Sequence, residues 1–151
     1  MFLRFTKYEN DIICFFEEVT PQWTALLENQ IRNSTIRREN MKSSYFVDFN
    51  VSRQVAPIPC DIEIPVDIII GETIIPQEQI LCHVNGHIVT KAQSFFVRDE
   101  SAIGIRLHFR SGYLNELEVY SLSGERICFK GIEKKNRTYI VYENWDIVTK
   151  N

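Results

Sequence analysis

Residues 103–120 read IGIRLHFRSGYLNELEVY and contain two alternating stretches on either side of Ser111-Gly112. In the first stretch every second residue from Ile103 to Phe109 is apolar. In the second, Glu116 and Glu118 alternate with apolar residues. Strict alternation places one side-chain set on each face of a strand, so we predict an antiparallel hairpin that is half-buried.

The register of this hairpin depends on the length of its loop. A two-residue loop would set Leu107 opposite Glu116, which places an apolar and a charged residue on the same face. A three-residue loop, 110–112, avoids this conflict if Gly112 adopts the left-handed conformation. We therefore predict the three-residue loop, which pairs Phe109 with Tyr113, Ile105 with Leu117, Ile103 with Val119 and Arg106 with Glu116.

The alternation continues through most of the chain beyond residue 42. Isoleucine and valine number 31 against 12 for leucine and alanine, a composition that favours strands. The interior proline of 61–70, Pro65, suits an edge or bulge position. The predicted strands are 45–51, 61–70, 79–84, 87–97, 102–109, 113–120, 126–129 and 138–142, with a further one near 146–149.

Helix signals lie in the first forty residues. Thr20-Pro21 is typical of an N-cap followed by the first helical residue. An apolar stripe follows at helical spacing, and a shorter helix is expected at 10–19. The stripe consists of Trp23, Leu26, Leu27, Gln30 and Ile31. The chain is thus predicted to be a single α+β domain, 1–151, with helices in 1–42 packed on a large, curled, mostly antiparallel sheet in 43–151.

Composition excludes several classes of protein. A net charge of −3 and a pI near 5.6 argue against a strongly basic nucleic-acid binder. The chain has no signal-peptide pattern and no apolar segment of membrane-spanning length, so a cytoplasmic location is expected. The four cysteines are scattered and are predicted to be free thiols, mostly buried: Cys14, Cys60, Cys82 and Cys128.

Two clusters resemble binding motifs, and both have a simpler interpretation. His83 and His87 have a spacing that suits a metal on a helix, but Asn85-Gly86 between them favours a type I′ hairpin. That turn directs the two histidines to opposite faces, so no metal site is predicted. A basic cluster follows the second helix and is interpreted as favourable charge at a helix C-terminus: Arg32, Arg37, Arg38 and Lys42.

No catalytic motif or cofactor signature is present, and neither an enzymatic activity nor a cofactor is predicted. The acidic residues near the hairpins have two interpretations. They form either a solvated strand face, with Glu116 matched to Arg106, or a rim that steers a basic partner. We expect partner-binding residues among exposed acids and aromatics near the hairpins, although Tyr113 has a core position in the predicted register. The candidates are Asp99, Glu100, Glu116, Glu118, Tyr113 and Tyr120.

The stretch from Gly112 to Gly124 has the form G-Y-L-x-E-L-E-V-Y-x-x-x-G. Together with residues 45–49 and 64–68, it resembles small bacterial proteins encoded beside polymorphic or contact-dependent toxins, many of which are taken to be immunity proteins. The likeness spans roughly residues 45–129, and it assigns no functional residue of that family to a position in this sequence.

The resemblance implies an antitoxin that occludes a cognate toxin, such as a basic nuclease domain, and acts as a monomer or a dimer. Two alternatives stay open. One is a small-molecule-binding or enzymatic domain with a pocket in the curled sheet. The other is an oligomerising module that pairs through the strand containing Pro65.

Overall fold

The computed structural model describes residues 1–60, 62–91 and 95–142. Two α-helices precede ten β-strands in these residues. The helices are α1 (Lys7–Val19) and α2 (Thr24–Arg32). The strands are β1 (Ser34–Asn40), β2 (Ser44–Val51), β3 (Val66–Ile70), β4 (Thr73–Ile74), β5 (Ile80–Val84), β6 (His87–Thr90), β7 (Phe96–Val97), β8 (Ile103–Arg110), β9 (Tyr113–Ser121) and β10 (Arg137–Val141).

Helix α1 begins three residues earlier than predicted because Thr6 forms a capping box with Glu9. The Thr6 hydroxyl accepts from the Glu9 amide, and the Glu9 carboxylate accepts from the Thr6 amide. The predicted apolar face is confirmed, since Ile12, Ile13, Phe15 and Phe16 are all buried.

Thr20 ends α1 and has the N-cap position of the 3₁₀ turn that follows, with Pro21 as the first residue of that turn, but its side chain does not cap the turn. Its hydroxyl donates to the Phe16 carbonyl, and a 3₁₀ turn at Pro21–Trp23 separates the helices. The apolar stripe of α2 is confirmed, with Leu27, Gln30 and Ile31 buried and the other two members partly buried against the core.

Eight strands form one mixed sheet in the order β1-β2-β9-β8-β3-β10-β6-β5, and β4 pairs with β7 separately. Every neighbouring pair is antiparallel except β6 and β10, which are parallel. Both helices pack on one face of the sheet through a continuous apolar core. The predicted α+β class is confirmed. The order of the strands in the sheet differs from their order in the chain, because β10 lies between β3 and β6.

The first strand lies in the segment that we predicted to be helical. β1 begins at Ser34, so Arg37 and Arg38 belong to a strand and not to a helix C-terminus. The helical prediction is wrong here because arginine and glutamate favour helices in isolation. In the folded protein, pairing with β2 determines the conformation of this segment.

Three other strand predictions need correction. β3 is shorter than predicted, and Pro65 precedes it instead of lying within it. Because β3 lies inside the sheet, the predicted edge position is wrong, and oligomerisation through this strand is no longer supported. Residues 126–129 form no strand, and 87–97 divides into β6 and β7. The predicted strand at 146–149 falls outside the described residues.

The register of the β8–β9 hairpin also differs from the prediction. Its loop is the two-residue Ser111-Gly112, with φ of 53° and 82°, so the left-handed Gly112 is confirmed and the three-residue loop is wrong. Asn115 forms a β-bulge, which shifts the pairing by one residue. This shift restores the apolar face by pairing Leu107 with Leu117, and it places Glu116 opposite His108 and Glu118 opposite Arg106.

The second hairpin follows the prediction. Asn85 and Gly86 have φ of 50° and 80°, and Val84 pairs with His87. The cysteines are free thiols as expected, but Cys14 and Cys128 are exposed, so their predicted burial is wrong.

Candidate functional site

The candidate site is the face of the sheet that points away from the helices, and we call it the outer face. Strand pairing aligns its side chains in rows that cross β2, β9 and β8, and two of these rows matter most. One row contains Asp48, Glu116 and His108. The next contains Phe46, Glu118 and Arg106 and continues to Asp67 on β3.

His108 lies between two carboxylates. Its Nε2 is 2.7 Å from Oε1 of Glu118 and 3.9 Å from Oε1 of Glu116. The donor atoms of these three side chains all lie within 4.8 Å of one another. The three side chains are about a quarter exposed, so the cluster is partly screened but open to solvent.

Asp48 and Glu116 are carboxyl residues directly opposite each other on β2 and β9. Burial raises the pKa of Glu116 to about 7, and the hydrogen bond and charge of Asp48 act in the same direction. Glu116 therefore keeps its proton under conditions in which isolated carboxyl groups are ionised.

A second group neutralises the buried carboxylate Asp67. Arg106 Nε donates to one oxygen of Asp67 at 2.7 Å, and the Tyr142 hydroxyl donates to the other at 2.7 Å. Burial, together with this hydrogen bond, raises the pKa of Tyr142 to about 12. The Arg106 guanidinium also lies 4.9 Å from the centre of the Tyr120 ring. These contacts hold Arg106 and Tyr120 in place.

The outer face is acidic overall. By strand register it contains five carboxyl groups and three guanidinium groups among the described residues of the sheet. Two negative charges therefore remain when all of these carboxyl groups are ionised. The acidic residues are Glu39, Asp48, Asp67, Glu116 and Glu118, and the basic residues are Arg37, Arg106 and Arg110.

The structure brings together three of the six predicted partner-binding residues: Glu116, Glu118 and Tyr120. Tyr113 lies at the opposite end of β9, where its hydroxyl donates to the Val55 carbonyl and its ring lies 4.0 Å from the Arg53 guanidinium. It is half-buried and not part of the outer-face cluster.

Asp99 and Glu100 lie in the loop before β8. Asp99 accepts hydrogen bonds from the backbone and hydroxyl of Ser101, which lower its pKa, and it forms an ion pair with Lys135 at 3.8 Å. Glu100 is exposed. Lys135 thus already balances the charge of Asp99.

Sequence reasoning missed Asp48, Asp67, Arg106 and His108 as members of the site. Alternation placed Asp48 on the polar face of β2, but nothing in the sequence paired β2 with β9. The predicted loop also set Arg106 opposite Glu116, and that error hid the proximity of His108.

The predicted basic cluster is divided between two faces. Arg37 is opposite Asp48 on the outer face, whereas Arg38 points inward to the buried carboxylate of Glu9 at 2.8 Å. Arg32 approaches Glu28 within 4.0 Å. The cluster therefore offers no common surface for an anionic ligand.

A groove of about 610 Å³ lies between the start of α1 and the segment before β10. Tyr8 and Phe129 stack in its wall with ring centres 5.4 Å apart. Its carboxylate, Glu9, is occupied by Arg38 and Tyr45, and no histidine is among the described residues that line it.

Comparison with models of protein families, with curated proteins and with solved structures finds no match to this chain. Of the helices in the described residues, none is long and apolar enough to cross a membrane.

Proposed function

We propose that this protein is an immunity protein that binds a cognate bacterial toxin and occludes it with the outer face of the sheet. The observation that carries the proposal is the acidic row Asp48–Glu116, with Glu118 beside it, on strands that are paired on both sides. The resemblance of residues 112–124 to immunity-type proteins agrees with it. Such a protein acts in the cytoplasm of the cell that produces it.

The charge of the outer face suits a basic partner, such as the active-site cleft of a nuclease toxin. Complementary charge raises association rates from about 10⁵–10⁶ to as much as 10⁸–10⁹ M⁻¹s⁻¹ at low salt. Fast capture matters for an inhibitor, because a nuclease damages the cell for as long as it is free.

The geometry also supports an interface of defined shape. The outer-face side chains stand on interior strands, and Arg106 and Tyr120 are held by the contacts described above. Tyr120 can therefore act as an aromatic anchor with little loss of side-chain entropy, and such anchors dominate binding energy in many interfaces.

The test is binding of the purified protein to the product of the neighbouring gene across a salt series. We expect tight binding that weakens as salt rises. The double variant Glu116→Lys/Glu118→Lys is expected to bind at least about 100-fold more weakly, because the lysines repel a basic partner that the glutamates attract. Glu78→Lys is the control, because Glu78 is exposed beside the opposite edge strand, β5.

Two results would contradict different parts of the proposal. No binding at any salt concentration excludes the immunity function with this partner. Normal binding by the Glu116/Glu118 variant, with a loss in an Asp99→Lys/Glu100→Lys variant, keeps the function but moves the interface to the loop before β8. Thermal unfolding of each variant verifies that it is folded.

A further inference from the structure

We propose that His108, Glu116 and Glu118 form a binding site for a divalent transition-metal ion, with zinc as the ion that fits best. This inference is independent of the immunity function, because it concerns the isolated protein. It is based on the convergence of one imidazole nitrogen and two carboxylate groups within 4.8 Å on the outer face.

The distances are close to those of a metal site. In a tetrahedral zinc site with bonds of about 2.0–2.2 Å, neighbouring ligand atoms are about 3.4 Å apart. His108 Nε2 is 2.7 Å from Glu118 and 3.9 Å from Glu116, so the observed separations lie on either side of this value. Each of these two separations differs from that value by less than about 1 Å.

The backbone holds the three ligands in fixed relative positions. His108 and Glu116 are directly opposite each other on paired strands, and Glu118 is two residues further along β9 on the same face. Asp48 is directly opposite Glu116 on β2, a position from which a neighbouring polar group can orient a metal-ligating carboxylate. Three protein ligands leave a fourth position open to solvent or to a group from a partner.

The donor set decides the class of ion. An imidazole nitrogen combined with carboxylate oxygens suits zinc and its transition-metal neighbours, whereas magnesium and calcium prefer oxygen ligands alone. Arg106, directly opposite Glu118, is paired with Asp67, so a carboxylate outside the site already balances its charge.

The test measures zinc binding by calorimetry, and cobalt binding by its visible absorption bands, in a Cys14→Ser/Cys128→Ser background. This background removes the exposed thiols, which also bind zinc. We expect one equivalent to bind with micromolar or tighter affinity, cobalt to show the intense bands of tetrahedral coordination, and millimolar magnesium not to compete.

His108→Ala and Glu118→Gln are expected to weaken zinc binding by at least about tenfold. His83→Ala is the matched control, since His83 is an exposed histidine on the β5–β6 hairpin, and it should leave the affinity unchanged. If zinc does not bind, if magnesium displaces it, or if His108→Ala and Glu118→Gln both bind zinc normally, the proposal is wrong. If either variant fails to fold, Glu116→Gln provides the same comparison.

Discussion

The contact between Tyr120 and Gly104 shows how a single glycine shapes the outer face. The Tyr120 ring lies directly over Gly104, where an added Cβ would be only 2.1 Å from the ring carbon Cζ. The backbone of Gly104 does not itself require glycine, because its φ is not positive. Space for the aromatic ring is therefore the reason for the missing side chain.

We expect Gly104→Ala to destabilise the protein by about 1–3 kcal/mol, because the new methyl group displaces the ring. In a Tyr120→Ala background the same change should be neutral or slightly stabilising, since alanine loses less backbone entropy than glycine. Denaturant unfolding of the four proteins in this double-mutant cycle measures the coupling. Equal costs in both backgrounds would show that the ring contact is not responsible.

Arg38 and Arg37 are adjacent in sequence but have different environments. Arg38 reaches Glu9, which is only 2% exposed, while Arg37 is exposed on the other face of β1. Although burial raises the pKa of Glu9, the hydrogen bonds from Arg38, Tyr45 and the Thr6 amide lower it below its usual value. The carboxylate thus depends on Arg38 for compensation.

Arg38→Met is expected to cost about 3 kcal/mol in the free energy of unfolding, because it leaves a buried charge without its ion-pair partner. Arg37→Met should change it by less than about 0.5 kcal/mol, as is usual at exposed positions. Chemical denaturation of both variants makes the comparison. Similar costs for the two would contradict the assigned role of Arg38.

At the scale of elements, Gln30 connects α2 to the β8–β9 hairpin. Its amide nitrogen donates to the carbonyls of Gly112 and Ala56, and its side-chain oxygen accepts from the Leu114 amide. Leu114 immediately precedes the bulge at Asn115. The helix therefore satisfies the backbone groups that the irregular hairpin leaves unpaired.

We expect Gln30→Leu to destabilise the protein by about 2–4 kcal/mol, since buried backbone groups lose their partners. Asn29→Leu, at an exposed position of the same helix, is the control and should have a small effect. Urea unfolding provides the values, and amide exchange at Leu114 reports directly on the lost bond. A slow, unchanged exchange rate in Gln30→Leu would show that Gln30 does not protect this amide.

His87 joins the β5–β6 hairpin to β10 through a bond that requires the neutral imidazole. Its Nδ1 accepts from the Arg137 amide at 3.0 Å. Burial, together with the nearby charge of Arg137, lowers the pKa of His87 below its usual 6.5. The unfolded chain therefore takes up this proton more readily than the folded protein does.

The stabilisation linked to His87 should be complete above about pH 6.5 and decrease as the pH falls towards its lowered pKa. Between pH 7.5 and pH 5, we expect the free energy of unfolding to fall less in the His87→Gln variant than in the natural protein. His83→Gln, on the same hairpin, should show the natural dependence. Denaturation at a series of pH values tests this, and identical slopes for all three proteins would refute it.

At the scale of the whole molecule, the sheet depends on strands that are distant in sequence. β10 lies between β3 and β6, so the β5–β6 hairpin joins the sheet only through a strand that comes about fifty residues later. A chain of this topology cannot complete its sheet until its last described strand is in place.

Proline substitution tests this order. Ile140→Pro, in a strand with neighbours on both sides, is expected to cost about 3 kcal/mol or more. Leu81→Pro falls at an exposed irregularity in the edge strand β5 and should cost about 1 kcal/mol or less. Thermal and denaturant unfolding measure both. An equal loss in the free energy of unfolding at the two sites would contradict the position of β10 between β3 and β6.

Much of the fold was predictable from local patterns. The alternation in β2, β8 and β9, the apolar faces of both helices and the Asn85-Gly86 turn all follow from residue periodicity and backbone preference. Less of the candidate site was predictable. Glu116, Glu118 and Tyr120 were found because they alternate on one strand, whereas their neighbours come from other strands.

The sequence by itself determined the α+β class, the segments that form most elements and the face that each one buries, because these depend on residues close along the chain. The tertiary structure decided the order of the strands, the bulge at Asn115 and hence the register. These features depend on contacts across the chain, such as Gln30 with Leu114 and β2 with β9. The proximity of His108, Glu116, Glu118 and Asp48 is of this second kind, since strand pairing alone brings them together.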